Sequence, residues 1–270
     1  MSVLNLDAYL ARIGYTGPRT PVRGVLAEVL RRHVSTIPFE NLDVLLGRPI
    51  RTDLVSLEQK LIRDRRGGYC FEQNTLLLHA LRALGFPAEP MIARVRWQVP
   101  PDVVTGLTHM LVRVALDGRD WLADAGMGSL SLTAPLEMSD GLEQETPHDR
   151  RRLVRRDGLF AQQVLFDGAW HDVSLFDPRT AAAADLEMGN WYSHTHPQAH
   201  FRNNLMVARA TPDGRRTLFN REFTTRARDG RAEKRPLATP DELLTVLAEN
   251  FDLHFPAGTR FGAPGVPWPA

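Results

Sequence analysis

Apolar residues in the first third of the chain recur at the three- and four-residue spacing of one helix face. "PVRGVLAEVLRRHVSTIPF" is one such run, and Pro38 marks its end. Its apolar positions are Val22, Val25, Leu26, Val29 and Leu30. "SLEQKLIRD" begins with Ser56 and has Gln59 three residues later, the spacing of a capping box. Both stretches are predicted to be helices.

A third run, "CFEQNTLLLHALRALGFP", begins at Cys70 and is apolar on nearly every face. Gly85 and Pro87 close it, and both residue types are common where a helix ends. Because a helix that is apolar all round is usually buried, this run predicts a buried helix.

Beyond residue 90, short apolar runs are separated by Asp-Gly dipeptides, a pattern typical of antiparallel hairpins. Asp117-Gly118 divides "THMLVRVALDGRDWLADAG", and Asp167-Gly168 divides "QQVLFDGAWHDVSLFD". "RATPDGRRTLF" and "RARDGRAEK" resemble them. The pattern predicts an antiparallel β region to about residue 236, and with the helices an α+β fold.

"TPDELLTVLAENF" predicts a closing helix, with Thr239 as its N-cap and Pro240 at its first position. The tail that follows, "PAGTRFGAPGVPWPA", is rich in proline and glycine and is predicted to be irregular.

The composition of the 270 residues argues against nucleic acid and membranes as binding partners. With 33 Lys and Arg against 32 Asp and Glu, the net charge of +1 provides no field that would attract nucleic acid or an anionic membrane. No stretch approaches the ~20 apolar residues of a membrane span. The first residues lack a secretory signal, and a single cysteine suits a reducing compartment, so a cytoplasmic location is expected.

The single cysteine, Cys70, lies in "RGGYCFEQN" at the start of the predicted buried helix. Unpaired N–H groups and the helix dipole favour a thiolate at that place. Gly67 and Gly68 are expected to allow a sharp turn and the close approach of a ligand, while Arg65 and Arg66 add positive charge. A lone cysteine is more often a small buried hydrophobe than a nucleophile, and both interpretations stand at this point.

The hairpin register selects a base for this cysteine from nine histidines. If Asp117-Gly118 is a two-residue loop, Leu116 pairs with Arg119, and counting along the strands brings His109 and Asp124 to one face. As diagonal neighbours their backbones lie roughly 7–8 Å apart, within side-chain reach. A three-residue loop would separate them. Alternatively, His109 is a core histidine and Asp124 an ordinary carboxylate at a strand end.

Cysteine, histidine and aspartate in this order, with the cysteine at a helix start and the others on strands, is the arrangement of papain-like thiol enzymes. Three function classes follow. They are a coenzyme A-dependent acyltransferase, a cysteine hydrolase or transglutaminase-like enzyme, and a binding protein in which Cys70 is inert.

Four motifs resemble the arylamine N-acetyltransferase family. They are "YLARIGYTG" near the start, "IPFENLD" from Ile37 to Asp43, "RGGYCFEQN" around Cys70, and "THM" with "DAGMG" around His109 and Asp124. The resemblance implies a helical domain over residues 1–88, an antiparallel β-barrel domain over 89–190 and an α/β lid with a tail over 191–270.

The resemblance also implies the reaction. Cys70, His109 and Asp124 would be the catalytic triad, acetyl-CoA the donor substrate, and an arylamine, arylhydrazine or N-hydroxyarylamine the acceptor. The acetyl group would rest on Cys70 between two half-reactions, giving ping-pong kinetics. No permanently bound cofactor is expected.

Further positions carry over from the family motifs. Phe39, Val95, Met127 and Phe201 match the acceptor pocket, although ordinary core packing would also explain them. Thr108, Gly126 and Gly128 are candidates for contacts with CoA. Arg66 is expected to pair with Glu40, because a buried arginine needs a partner.

Two stretches need separate comment, one that differs from the family motif and one that is rich in histidine. The family usually has Asp-Val-Gly-Phe-Gly where this chain has "DAGMG", so Met127 puts the acceptor preference in doubt. "HTHPQAHF" contains His194, His196 and His200, but Pro197 breaks their spacing and no cysteine lies near, so no metal site is predicted.

Overall fold

The computed structural model describes residues 3–263. Five α-helices form most of the N-terminal part, and a π-helical turn, Glu58–Arg63, continues α4. Their bounds are α1 Leu6–Arg12, α2 Arg23–Thr36, α3 Leu42–Leu45, α4 Leu54–Leu57 and α5 Cys70–Ala83. α2 and α5 match the predicted helices. The helix expected at Ser56 begins two residues earlier, because Asp53 is its N-cap and accepts the N–H of Ser56.

An antiparallel sheet of eight strands follows, in the order β5-β4-β3-β2-β9-β8-β7-β6. The strands are β2 Ala88–Val95, β3 Leu107–Leu116, β4 Arg119–Ala123, β5 Leu136–Glu137, β6 Gln144–Glu145, β7 Arg150–Arg156, β8 Leu159–Phe166 and β9 Ala169–Phe176. The side chain of Gln144 bonds the backbone of Glu137 at both N–H and C=O, so the two edge strands meet. The sheet is therefore a nearly closed barrel.

A second antiparallel sheet has the order β1-β10-β11-β12-β13. Its strands are β1 Phe39–Glu40, β10 Met206–Thr211, β11 Gly214–Phe219, β12 Glu222–Ala227 and β13 Ala232–Pro236. The helices α6 Ala183–Thr195 and α7 His200–Asn203 precede β10, and α8 Pro240–Phe251 closes the fold. Since β1 comes from the N-terminal helical part, this sheet joins the two ends of the chain.

The four predicted hairpins are present, and two of them have the predicted Asp-Gly loop of two residues. Leu116 pairs with Arg119 and Phe166 with Ala169, which makes both Asp-Gly loops two residues long. In "RATPDGRRTLF", however, Thr211 pairs with Gly214, so Pro212-Asp213 is the turn and the glycine already belongs to β11. In "RARDGRAEK", Arg226 pairs with Ala232, so the loop around Asp229-Gly230 is longer.

The fold class is confirmed, with helices first, an antiparallel barrel second and a mixed α/β part last. Thr239 caps α8 as predicted, by accepting the N–H of Glu242. The tail is irregular from residue 256 to 263, and residues 264–270 lie outside the described part. The division at 88 and 190 stays a prediction. Among residues 3–263, no helix is long and apolar enough to cross a membrane.

Candidate active site

Cys70 is the first residue of α5 and is buried, with 2% of its surface exposed. Its Sγ lies 3.6 Å from the carbonyl oxygen of Thr108 on β3. The first N–H groups of a helix have no partner within the helix, so the end of α5 directs partial positive charge towards this sulfur. The structure thus places the only cysteine against the free N–H groups at the start of a helix.

Glu72 holds the start of α5 through its contacts with Tyr69 and Lys60. Its Oε2 accepts the N–H of Tyr69, and its Oε1 lies 2.7 Å from the Nζ of Lys60, which also contacts Asp43 at 2.7 Å. Burial raises the pKa of Glu72, and the Lys60 ammonium opposes that shift. The helix start that carries Cys70 is therefore anchored by a buried acid and base.

The two glycines before Cys70 have a different use from the one predicted. A Cβ on Gly67 would lie 2.0 Å from the carbonyl oxygen of Pro38, and one on Gly68 would lie 2.8 Å from Cβ of Glu72. Neither residue has a positive φ. The glycines allow backbone and side chains of this protein to pack closely, so the prediction that they admit a ligand is wrong.

The β3–β4 hairpin brings His109 and Asp124 together as its register predicts. Regular pairing ends at Val112 and Ala123, just short of the two residues. The Nε2 of His109 lies 2.9 Å from Oδ2 of Asp124, and both side chains are buried. The Cys70 sulfur also interacts with His109 and raises its pKa, and these three neighbours make up the Cys70–His109–Asp124 line.

Asn74, one helical turn after Cys70, links the helix to Asp124. Its Nδ2 donates to Oδ1 of Asp124 at 2.9 Å, and its Oδ1 accepts the N–H of Ala125 at 2.8 Å. The N–H of Gly126 also donates to Oδ1 of Asp124. One carboxylate oxygen is thus held by two donors while the other faces His109, which fixes the orientation of the carboxylate.

The charge of this line follows from its surroundings. Burial alone would lower the pKa of His109, but the Asp124 carboxylate, its hydrogen bond and the Cys70 sulfur outweigh burial and raise the pKa to about 10. Burial would raise the pKa of Asp124, and His109 with Asn74 and Gly126 lowers it instead. Near neutral pH the pair is an imidazolium beside a carboxylate.

A cavity of about 660 Å³ opens above Cys70 and His109. Its wall includes all four residues predicted to bind the acceptor and all three predicted to bind CoA. The predicted residues on the wall are Phe39, Val95, Met127, Phe201, Thr108, Gly126 and Gly128. Asp124 lies behind the wall and is fully buried. The structure therefore brings every predicted substrate residue to the cavity that the cysteine faces.

Sequence reasoning missed several residues of this region. Trp97, Tyr192 and Phe219 also line the cavity. Trp97 follows Val95 by two positions, and alternation along an extended chain would have found it. Asn74 follows Cys70 by four positions, which places the two on one helix face. Tyr192 and Phe219 reach the cavity only through long-range packing and carry no local signal.

Glu40 and Arg66 form the predicted ion pair. Nε and Nη2 of Arg66 lie 3.1 and 2.7 Å from Oε1 of Glu40, which is fully buried, and Oε2 of Glu40 accepts the N–H of Leu42. Asn41 beside it donates to the carbonyl oxygens of Phe201 and Asn204 at 2.7 Å each. These contacts tie the segment that carries Phe201 to the N-terminal part of the chain.

Glu40→Gln is expected to lower the free energy of unfolding by about 2–4 kcal/mol, because it leaves the mostly buried Arg66 with a weaker set of partners. Urea denaturation would measure this change. Glu89→Gln is the matched control, since Glu89 pairs with Arg82 and both side chains are more than 40% exposed. The control is expected to cost less than about 1 kcal/mol. Equal costs for the two variants would contradict the structural role of Glu40.

Two buried histidines are expected to carry opposite charge states near neutral pH. Burial lowers the pKa of His33 to about 4 despite its hydrogen bond with Gln73, so His33 is neutral, whereas His109 is protonated. Long-range ¹H–¹⁵N spectra of labelled histidines would show both ring nitrogens of His109 protonated until the pH nears about 10. A neutral His109 near pH 7 would refute this charge assignment, with His33 as the internal reference.

The three histidines of "HTHPQAHF" do not converge. Nδ1 of His194 bonds the carbonyl oxygen of Asn190, His196 accepts the N–H of Gln198, and His200 lies near Asn204. Within residues 3–263 the structure contains no group of three or more His, Cys, Asp or Glu residues arranged to hold a metal ion.

Known proteins match most of the chain. A family model described as N-acetyltransferase matches residues 24–259. The arylamine N-acetyltransferase of Escherichia coli (strain K12) is 39% identical over 249 residues, which are 92% of this chain and 88% of that protein. The arylamine N-acetyltransferase / N-hydroxyarylamine O-acetyltransferase of Salmonella typhimurium is 36% identical, over 92% of this chain and 88% of that protein.

Among solved structures, that of Mycobacterium marinum arylamine N-acetyltransferase in complex with CoA superposes with a TM-score of 0.89. It is 34% identical, and the match covers 92% of each chain. Sequence identity and fold agree over nearly the whole length, and the chain therefore belongs to the arylamine N-acetyltransferase family of acyltransferases.

Proposed function

We propose that the chain moves an acetyl group from acetyl-CoA to arylamines, arylhydrazines or N-hydroxyarylamines through an acetyl-Cys70 intermediate. The names of the Escherichia coli and Salmonella typhimurium relatives and the CoA bound by the Mycobacterium marinum relative support these substrates. The observation that carries the mechanism is the Cys70–His109–Asp124 line, in which His109 bonds Asp124 and interacts with Cys70, at the wall of an otherwise largely apolar cavity.

In the first half-reaction the proton of the Cys70 thiol resides on His109, and the thiolate attacks the thioester carbon of acetyl-CoA. The bond from that carbon to the CoA sulfur breaks, and CoA leaves with the proton returned by His109. The acetyl group is then bound to Sγ of Cys70. The main-chain N–H of Cys70 is a candidate donor to the developing oxyanion, because it lies in the unpaired first turn of α5.

In the second half-reaction the nitrogen or oxygen of the acceptor attacks the acetyl carbon. Its proton passes to His109, the bond to Sγ breaks, and Cys70 leaves as a thiolate paired with imidazolium. Asp124 holds the imidazole by Nε2, so that Nδ1 faces the sulfur, and stabilises the cation. Covalent catalysis thereby divides one transfer into two easier steps.

The cavity residues have proposed places in this scheme. Phe39, Val95, Met127 and Phe201 would pack against the acceptor ring, and the Phe39 and Phe201 rings lie 5.9 Å apart. Thr108, Gly126 and Gly128 would contact the CoA arm. The N–H of Gly126 is already donated to Asp124, so a contact of Gly126 with CoA would use its other backbone atoms.

The test combines the protein with acetyl-CoA and follows its intact mass and the release of CoA. The expected result is one acetyl group on Cys70, located by peptide mass, with one equivalent of CoA released. Adding an arylamine should then remove the acetyl group and yield the amide. No adduct would overturn the proposal. An adduct discharged equally fast by water would instead indicate a thioester hydrolase.

A further inference from the structure

A buried ion cluster lies outside the Cys70–His109–Asp124 line. Asp149, just before β7, accepts from Nε and Nη2 of Arg151 at 2.7 and 2.9 Å. It also accepts from Nη2 of Arg215, on β11, at 2.8 Å. The Arg151 side chain is fully buried and the Arg215 side chain is 10% exposed. The cluster therefore joins the barrel to the five-stranded sheet through charge-assisted hydrogen bonds.

Both arginines also bond the backbone of one loop. Nη2 of Arg151 donates to the carbonyl oxygen of Leu130 at 3.0 Å, and Nη1 of Arg215 donates to that of Ser131 at 3.1 Å. The residues just before this point form one side of the cavity wall, namely Met127, Gly128, Ser129 and Leu130. The cluster thus holds the far end of the loop that shapes the cavity.

The near end of the same loop has its own anchor. The N–H groups of Ala125 and Gly126 bond Asn74 and Asp124. At the other end, beyond Ser131, the N–H of Leu132 bonds the carbonyl oxygen of Asp124 at 2.8 Å and closes the loop on itself. These contacts do not involve either arginine. The loop is consequently held at two separate places, one beside the candidate triad and one at the ion cluster.

Stability alone is a poor reason to bury these charges. Removing such groups from water is costly, and well-packed apolar side chains of similar volume are often as stable. A guanidinium that is held by a carboxylate and donates to a carbonyl oxygen does something that apolar packing does not, because it fixes the position of the backbone. The cluster is therefore suited to fixing the backbone of the loop that forms one side of the cavity wall.

We propose that Asp149 is a positioning residue that, through Arg151 and Arg215, fixes the loop carrying Met127 and Leu130 and thereby sets the affinity and selectivity for the acceptor. This inference rests on the proposed function, since it concerns the acceptor of that reaction. Met127 and Leu130 line the same cavity as Phe39 and Phe201, against which an aromatic ring would pack.

Arg215→Gln is the variant of choice. Asp149→Asn would leave two buried guanidinium groups without a carboxylate and endanger folding. Arg215→Gln keeps the Asp149–Arg151 pair and weakens the hold on Ser131. Arg215→Lys keeps the charge but lacks the planar fork that reaches two acceptors. Arg216→Gln is the matched control, because successive residues of β11 point to opposite faces.

Steady-state kinetics with a one-ring and a two-ring arylamine would measure the effect. Arg215→Gln is expected to raise the acceptor KM about tenfold and to reduce the discrimination between the two amines, while kcat changes less than about threefold. Acetylation of Cys70 by acetyl-CoA is expected to change less than the acceptor KM, because Gly126 and Gly128 lie nearer the end of the loop that Asn74 and Asp124 hold. Arg215→Lys should fall between, and Arg216→Gln should match the wild type.

A second measurement does not depend on catalysis. Hydrogen exchange over residues 126–132 is expected to be at least about tenfold faster in Arg215→Gln than in Arg216→Gln, with no change in α5. Unchanged exchange in the loop would overturn the proposal, as would unchanged acceptor KM and selectivity in an active enzyme. If the wild type is not acetylated, the proposed function fails and the acceptor role with it. The exchange data then decide only whether the cluster holds the loop.

Discussion

Asp124→Asn is expected to lower kcat/KM for arylamine acetylation about 10,000-fold and to leave the chain folded. In the wild type, Oδ2 of Asp124 faces Nε2 of His109, while Oδ1 accepts from Asn74 and Gly126. An asparagine keeps its oxygen towards these two donors, because turning the amide over would oppose N–H groups. Its NH₂ group then faces His109.

That orientation of the asparagine amide gives His109 the wrong tautomer. The new NH₂ group donates to Nε2, so the proton of a neutral His109 resides on Nδ1, which faces Cys70. The imidazole then has no lone pair to take the thiol proton, and no carboxylate stabilises its cation. A factor of 10,000 corresponds to about 5 kcal/mol in the barrier.

Steady-state kinetics and the thermal unfolding midpoint would measure both parts of this prediction. Asp120→Asn is the matched control, since Asp120 also lies on β4. Its side chain is 41% exposed, and its ion pair with Arg113 is long, at 3.5 Å. It is expected to keep activity within about twofold. If Asp124→Asn stayed within tenfold of the wild type, Asp124 would not orient His109 in the way proposed.

Gly126→Ala is expected to lower kcat/KM about 100-fold and the free energy of unfolding by about 1–3 kcal/mol. The new Cβ would lie 2.5 Å from Cα of Cys70, 2.9 Å from Cβ of Cys70 and 2.8 Å from Nδ2 of Asn74. A helix backbone atom has little freedom to yield, so the loop after Asp124 must move away from α5. That movement displaces Asp124 and His109 relative to the sulfur.

Two readouts separate this effect from simple destabilisation. The rate of Cys70 alkylation by iodoacetamide should fall together with kcat/KM, since both depend on His109 being near the sulfur. Gly24→Ala is the control, because nothing lies within 4 Å of its Cβ position in α2 and the helix tolerates alanine. An active Gly126→Ala enzyme with normal alkylation would show that the close packing of Gly126 on Cys70 is not needed.

The pairing of His109 with Asp124 could be predicted from the chain alone because it depends on local geometry. An Asp-Gly dipeptide between apolar runs favours a two-residue turn, and the turn then sets the face and the distance of every nearby pair. The start of α5 at Cys70 is similarly local, since helix ends follow from a few neighbouring residues. The family motifs covered these same short stretches.

The prediction that Gly67 and Gly68 admit a ligand failed because it concerns contacts beyond the local sequence. Nothing in "RGGYC" shows that Pro38 and Glu72 lie against these glycines. The role of Asn74 was also missed, because its partners Asp124 and Ala125 follow β4, 50 and 51 positions later in the chain.

The sequence by itself determined α2, α5 and α8, the two hairpins around Asp117-Gly118 and Asp167-Gly168 with their registers, and with them the three residues of the candidate triad. Hydrophobic period and turn chemistry act over a few residues, so they are readable without a fold. Only the tertiary structure decided what surrounds the triad. Asn41 meets Phe201 across 160 positions, and Arg215 meets Asp149 across 66. Such contacts depend on how whole sheets pack, and no local pattern specifies that packing.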